Sequence, residues 1–209
     1  MLNPHSPARS STRTLLTLLA ALAVLTPACG GADLQPEDSA AARHQQAAPS
    51  VDVARLAELV HDRVNLVRER EGRRALTYNP ALAKIAALHS ADMVRQRYFA
   101  HLNRHGQSFS RRYELAGFAC KVPDEPPYYL LGAENLALIH RVAQWKVYVD
   151  GRREPAQVRT LEQIADDAVQ GWWDSPGHRK NMLIHAWLSE GLGVAVTADG
   201  QVLITQNFC

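Results

Sequence analysis

Apolar side chains recur at spacings of three and four residues in three long stretches of the chain, and this spacing predicts three main amphipathic helices. The pattern turns helical from Asp52, and the pair Asn79-Pro80 marks the start of the second helix. Thr160 can cap the third helix, because its hydroxyl can accept a hydrogen bond from an unpaired backbone amide. His89 falls on the apolar line of the second helix, which favours a buried, hydrogen-bonded histidine over a ligand-binding one.

Outside the three predicted helices, alternating or continuous runs of apolar residues predict strands. Residues 191–196 and 202–208 flank Asp199-Gly200, a typical turn sequence, and form the clearest β-hairpin of the chain. Residues 130–138 predict a buried extended segment with one anomaly, Glu134. An isolated buried carboxylate is too costly, so this side chain must be paired, hydrogen-bonded or protonated.

Between the strands and the third helix, residues 142–159 leave two interpretations open. Val147 to Gly151 indicates a hairpin turn, but Pro155 makes the second arm poor strand material. The segment is therefore either a protruding loop or a two-stranded excursion. The sum of these elements is an α+β sandwich.

The third helix runs into a junction, residues 172–183, where Ser175-Pro176 predicts the start of another helix. The serine hydroxyl can accept from the free amides, and proline is pre-set for the first helical position. His178 then lies in the first turn, where the partial positive charge of the helix end disfavours imidazolium. A neutral histidine fixed in this way is a candidate base or ligand.

The N-terminal residues 1–28 predict an export signal. Two arginines precede an apolar run from residue 15 to residue 25, which is too short for a permanent membrane span. A small residue before Cys29 resembles the bacterial lipobox, although Thr26 stands where leucine is usual. We therefore expect an exported lipoprotein anchored to a membrane through lipidated Cys29. An ordinary cleaved secretory signal with an incidental cysteine is the alternative.

Composition divides the remainder into a tether and one domain. Residues 29–50 lack apolar periodicity and predict a flexible tether, which leaves residues 51–209 as the folded domain. The chain carries a net charge of +2, and the leader contributes two arginines and no acid, so the mature chain is neutral. A neutral domain argues against nucleic acid as a partner.

Three cysteines are an odd number for an exported protein. Lipidation of Cys29 would account for one, leaving Cys120 and Cys209 either as a disulfide or as two separately buried thiols. In an oxidising compartment the pair is expected to be bridged. A bridge across so long a loop would contribute about 4 kcal/mol in the chain-entropy description.

Several motifs occur along the chain in the same order as in the CAP superfamily, which the chain therefore resembles. This superfamily comprises cysteine-rich secretory, antigen 5 and pathogenesis-related class-1 proteins, and the chain looks most like its bacterial SCP-like extracellular branch. The resemblance covers about residues 55–209. The motifs are Asn65-Leu66-Val67-Arg68, Phe99-Ala100-His101, Gly132-Ala133-Glu134-Asn135, Trp172 through Leu183, and Thr205-Gln206-Asn207-Phe208.

The resemblance implies an α-β-α sandwich with a central antiparallel sheet and a groove, which in the family is lined by two histidines and two glutamates that can hold zinc. By motif, His101, Glu134 and His178 match three groove positions, and Ser175 falls where eukaryotic members have the second glutamate. The resemblance thus implies a possible Zn²⁺ ligand set of His101, Glu134 and His178. Residues 139–159 look longer than in typical bacterial members and would be placed to wall or cap the groove.

Three functional interpretations follow. The family favours a non-enzymatic binding module for a lipid, cell-wall glycan or protein ligand, and no G-x-S-x-G nucleophile motif opposes it. The alternative is a zinc-dependent hydrolase that uses His101, Glu134 and His178. In a third interpretation the same side chains only hydrogen-bond one another and join helix to sheet.

Overall fold

The computed structural model describes residues 50–209, so the predicted leader, tether and lipidated Cys29 lie outside the described part of the chain. Its helices are α1 (Val53–Arg70), α2 (Pro80–Gln96), α3 (Phe109–Leu115), α4 (Leu161–Asp174) and α5 (Pro176–Leu183). Its strands are β1 (Thr77–Tyr78), β2 (Val122–Pro123), β3 (Tyr129–Leu130), β4 (Ala133–His140), β5 (Val142–Val147), β6 (Arg153–Val158), β7 (Ser189–Val196) and β8 (Gln201–Phe208).

The three main helices begin at the predicted positions. Asp52 accepts a hydrogen bond from the third residue of α1, and the side chain of Asn79 accepts from two amides of the first turn of α2. Thr160 and Gln163 form a capping box at the start of α4, in which each side chain bonds the other residue's backbone amide. These bonds satisfy amides that the helix itself leaves unpaired, so the helix starts are confirmed.

One start is capped differently from the prediction. Ser175 occupies the N-cap position of α5, but its hydroxyl makes no capping hydrogen bond. The backbone closes the turn instead, because the Ser175 carbonyl accepts from the Arg179 amide at 2.8 Å. Pro176, at the first helical position, has no amide that needs a partner.

A four-stranded sheet in the order β1-β7-β8-β4 forms the centre of the domain. The predicted hairpin is β7–β8, and β4 pairs antiparallel with β8 along its full length, from Ala133 opposite Phe208 to His140 opposite Gln201. The two-residue β1 adds a short parallel edge to the otherwise antiparallel sheet.

Helices cover both faces of this sheet and make it an α-β-α sandwich. On one face α2 lies so close that a Cβ on Gly193 would stand 2.0 Å from the Ala87 amide nitrogen. On the other face α1 and α4 bury an apolar core, and the Trp172 indole of α4 donates to the Leu136 carbonyl of β4 at 2.9 Å. The predicted fold class is confirmed.

Two further expectations are confirmed in this frame. Cys120 and Cys209 form a disulfide that ties the segment before β2 to the C-terminal residue. His89 is only 1% exposed, and its Nε2 donates to the Ala100 carbonyl at 3.1 Å. Burial lowers the pKa of His89 below its ordinary value, because water no longer stabilises the charged form.

The segment before α4 is a two-stranded excursion, since β5 and β6 pair antiparallel in a sheet of their own. It leaves the sheet at the end of β4, whereas Glu134 stands at its beginning, about 20 Å away at the usual rise of a strand. The hairpin, which we call the β5–β6 hairpin, thus starts far from Glu134, and none of its residues is among those that line the pocket beside Glu134. No helix within residues 50–209 has the length and apolarity needed to cross a membrane.

Candidate functional site

Glu134, the second residue of β4, is the acid that the sequence singled out, and it is paired. Its side chain is completely buried. One carboxylate oxygen accepts from His101 Nδ1 at 2.9 Å, and the other accepts from an Arg112 guanidinium nitrogen of α3. Because both oxygens are paired in this way, the free-energy cost of burying the negative charge is offset.

The bond to Glu134 fixes the role of one ring nitrogen of His101. A carboxylate only accepts, so Nδ1 of His101 is the donor, and in the matching tautomer Nε2 is an acceptor. The side chain is 52% exposed, which leaves the ring accessible to a ligand. Arg112 also holds the backbone here, because it donates to the carbonyls of His101 at 2.9 Å and Gln107 at 2.8 Å.

His178 lies beside this pair. The centres of the His101 and His178 rings are 6.3 Å apart, with their planes inclined by 47°. Burial, and secondarily the neighbouring His101, lowers the pKa of His178 below its ordinary value. The neutral imidazole predicted from the helix start is thus favoured, chiefly through loss of solvent.

Two asparagines join α5 to the sheet below the histidines. Asn135 donates to the His178 carbonyl at 3.2 Å and to Gln206 Oε1 at 3.0 Å. Asn181 donates to the Glu134 carbonyl at 3.3 Å and to the Asn135 side chain at 3.0 Å. These bonds set the position of α5, and hence of His178, relative to Glu134.

An open pocket of about 410 Å³ lies over the Glu134 end of β4. It is lined by His101, Ser108, Phe109, Gly132, Ala133, Glu134 and Asn181. Gly132 is required here, because its φ of 103° disfavours other residues and a Cβ would lie 2.7 Å from a Tyr113 ring carbon. The pocket combines a half-buried aromatic side chain, Phe109, with several hydrogen-bonding groups.

The structure therefore brings His101 and Glu134 together at the pocket and places the His178 ring next to His101. Within the described residues, neither Ser175 nor His178 is among the side chains that line the pocket. Arg112 and Asn181 are functional candidates that the sequence pattern did not single out. Their only sequence signal was indirect, namely that the buried acid needed a partner.

The Zn²⁺ ligand set of His101, Glu134 and His178 stays a prediction. Among residues 50–209, no three His, Cys, Asp or Glu side chains are arranged to hold a metal ion. The Glu134 carboxylate is completely buried and bonded to His101 and Arg112, so in this arrangement it orients the His101 ring.

With this geometry established, the comparison with known proteins assigns the class. The family model for CAP, the cysteine-rich secretory protein family, matches residues 61–208, from the middle of α1 to the end of β8. The protein belongs to this family, and the resemblance seen in its motifs is confirmed.

Individual relatives agree with this assignment. The uncharacterized membrane protein YlbC of Bacillus subtilis is 29% identical over 147 residues, which are 70% of this chain but 32% of YlbC, so the chain spans about a third of that relative. An extracellular SCP-domain protein from Bacillus anthracis superposes with a TM-score of 0.54 at 23% identity, over 77% of this chain and 44% of that one. An outer surface protein from Borrelia burgdorferi gives a TM-score of 0.54 at 15% identity, over 76% of this chain and 94% of that one. These two structures share the fold.

Proposed function

We propose that this protein is an exported, envelope-anchored binding module whose pocket holds a ligand without transforming it. The observation that carries the proposal is the enclosure of Glu134, whose side chain is completely buried and whose two oxygens are bonded to His101 and Arg112. A general base or metal ligand must present a lone pair to the reacting group, and a carboxylate closed off from solvent in this way is poorly placed to do so. The carboxylate is thereby suited to fix His101 as a recognition group.

The lining favours a hydroxyl-rich ligand, and we take cell-wall glycan as the first candidate. The acceptor Nε2 of His101, the side-chain oxygen of Asn181 and the hydroxyl of Ser108 offer hydrogen bonds to sugar hydroxyls, while Phe109 offers an apolar surface to a ring. A volume of about 410 Å³ suits one or two sugar units better than a long acyl chain.

Export is supported by the leader and by the names of the related proteins. One similar structure is an extracellular protein, another is an outer surface protein, and the related Bacillus subtilis chain is a membrane protein. The candidate lipobox at Cys29 supplies the anchor in this proposal.

The test is a titration of isotope-labelled protein with soluble peptidoglycan glycan fragments, followed by amide chemical shifts. We expect shifts in the lining residues and a loss of affinity of about tenfold in Asn181→Ala, which removes a hydrogen-bonding oxygen from the lining together with the two bonds to Glu134 and Asn135 that position α5. Arg111→Gln, at an exposed position of α3, serves as the matched control and should bind normally. Phospholipid micelles and envelope protein extract are titrated in parallel, and shifts in the pocket with one of them alone would replace the glycan as ligand class.

The same samples decide between binding and hydrolysis. Fragments are analysed for cleavage after prolonged incubation, with and without added Zn²⁺. Cleavage by the wild-type protein that disappears in His101→Ala would overturn the non-enzymatic proposal in favour of the hydrolase. Absence of pocket shifts with all three ligand classes would reject binding at this site and favour the purely structural role of the polar cluster.

A further inference from the structure

The tip of the β5–β6 hairpin exposes apolar and aromatic side chains to solvent. Val149 is completely exposed, Val147 is 68% exposed, and Trp145 and Tyr148 are each 37% exposed. Besides pairing with each other, β5 and β6 make no extensive contact with another helix or strand of the described chain. Such a group of apolar side chains at a projecting tip needs an explanation, because exposed apolar clusters mark contact surfaces.

Cationic groups accompany this apolar tip. The Arg153 guanidinium lies over the Trp145 ring at 4.9 Å, and that of Arg152 lies over the Tyr148 ring at 4.7 Å. Across residues 140–159 there are five lysines and arginines against two carboxylates, a net charge of +3 in a mature chain that is neutral. Positive charge is therefore concentrated in the segment that carries the exposed apolar groups.

The strand register gathers the apolar groups on one face. Trp145 is paired with Pro155, and Val147 is paired with Arg153, so these four side chains lie on the same side of the hairpin. Tyr148 and Glu154 share the opposite side, where the phenol donates to the carboxylate at 2.8 Å. The first face thus consists of three apolar side chains and one cation stacked on an aromatic ring.

The position of Ser50, the last residue of the predicted tether that follows the anchor in the sequence, adds an independent argument. An Arg141 guanidinium nitrogen, at the base of the hairpin, donates to the Ser50 carbonyl at 2.7 Å. Ser50 is the point at which the described chain begins, 21 residues after the candidate lipidation site Cys29. The segment that leads back to the anchor therefore joins the domain beside the hairpin.

We infer that the β5–β6 hairpin is a membrane-docking element that inserts its tip into the interfacial layer of a bilayer containing anionic lipids. Tryptophan and tyrosine prefer this layer, valine enters the acyl boundary, and lysine and arginine bind the phosphates. A second copy of the chain is a poorer occupant, since two hairpins with the same positive charge repel each other. The inference does not depend on what the pocket binds.

A fluorescent probe at the tip tests this inference directly in the full chain. In a Cys29→Ser background the remaining cysteines are bridged, so Val149→Cys offers one thiol for an environment-sensitive dye. Leu88→Cys, an exposed position on α2, is the matched control. We expect a blue shift and increased emission at position 149, and not at position 88, with vesicles containing phosphatidylglycerol. Because the readout is local, membrane binding by the leader does not produce it.

Charge removal completes the test. Lys146→Gln with Arg153→Gln should raise the lipid concentration for half-maximal response about fivefold per cation removed, from the usual attraction of one basic residue to an anionic surface. Equal responses with purely phosphatidylcholine vesicles would refute the role of anionic lipid. A blue shift that grows with protein concentration in the absence of vesicles would instead identify a second copy as the occupant, and an unshifted probe with every vesicle would overturn membrane docking.

Discussion

Replacement of Glu134 by glutamine separates the charge of this residue from its shape. The variant keeps an oxygen for Arg112 but removes the negative charge, so a guanidinium with only 9% of its side chain exposed loses its counter-charge. Breaking a buried pair from one side costs about 3–5 kcal/mol, and we expect about 3 kcal/mol because one hydrogen bond survives. For a domain of this size that corresponds to a fall in Tm of about 6–12 °C.

Urea unfolding followed by tryptophan fluorescence measures this change, since Trp172 and Trp187 are buried in the core. The matched control is Glu114→Gln, which breaks the exposed pair with Arg111 at 2.8 Å on α3 and should cost under about 0.5 kcal/mol. Equal losses in the two variants would refute the argument that the Glu134 charge compensates a buried cation. A cycle with Arg112→Met should recover part of the loss, because no uncompensated cation is left.

The same substitution should change the tautomer of His101. With the amide oxygen directed to Arg112, the amide nitrogen faces His101 Nδ1 and can only donate, so the ring proton moves to Nε2. Nitrogen NMR of the imidazole then shows a protonated Nε2 where the wild-type ring has a protonated Nδ1. An unchanged Nδ1 proton would contradict the role of Glu134 in setting the ring.

Further predictions concern pH, backbone and cross-link. The pKa of His178 in the folded protein lies below the ordinary 6.5, so its contribution to stability is present above that pH and is lost as the pH falls below it. Between pH 7.5 and pH 5, the Tm of His178→Gln should therefore fall by less than the Tm of the wild type. Gly132→Ala should lower the free energy of unfolding, measured by chemical denaturation, by about 2–4 kcal/mol, because the residue has a positive φ and the added Cβ would overlap an aromatic ring. The control Gly117→Ala, whose added Cβ meets nothing within 4 Å, should lower it by about 1 kcal/mol. Replacing Cys120 and Cys209 by serine should lower the free energy of unfolding by about 4 kcal/mol, and a smaller loss than that of Glu134→Gln would contradict the entropic argument for a bridge spanning 89 residues.

The helices and the principal hairpin were predictable because their signals are local. A cap such as Thr160 acts within one turn, and the Asp199-Gly200 turn determines the pairing of the two strands that flank it. The cost of burying a carboxylate likewise predicted that Glu134 must have a partner. Each of these inferences needs only a few consecutive residues and a general energetic rule.

The family resemblance named His101 beside Glu134, but the cationic partner of Glu134 was not predictable, because it depends on which distant elements the fold brings together. Arg111 and Arg112 look alike in the sequence, but one faces solvent and the other reaches Glu134. Glu190 of β7 is a second buried acid, whose oxygens accept from His61 of α1 at 2.6 Å and Gln206 of β8 at 2.5 Å. Neither the Arg112 bond nor the Glu190 group has a sequence signature of its own, since the bonded residues are 16 to 129 residues apart.

The pocket and the base of the β5–β6 hairpin lie at opposite ends of β4, so the two features are separated by the length of this strand. If the hairpin tip rests on the membrane, the strand acts as a spacer of about 20 Å between lipid and pocket. With β4 upright on the membrane, the pocket lies at about that height, within reach of envelope material. Shortening the segment between anchor and domain should leave this stand-off unchanged, because the strand and not the tether sets it.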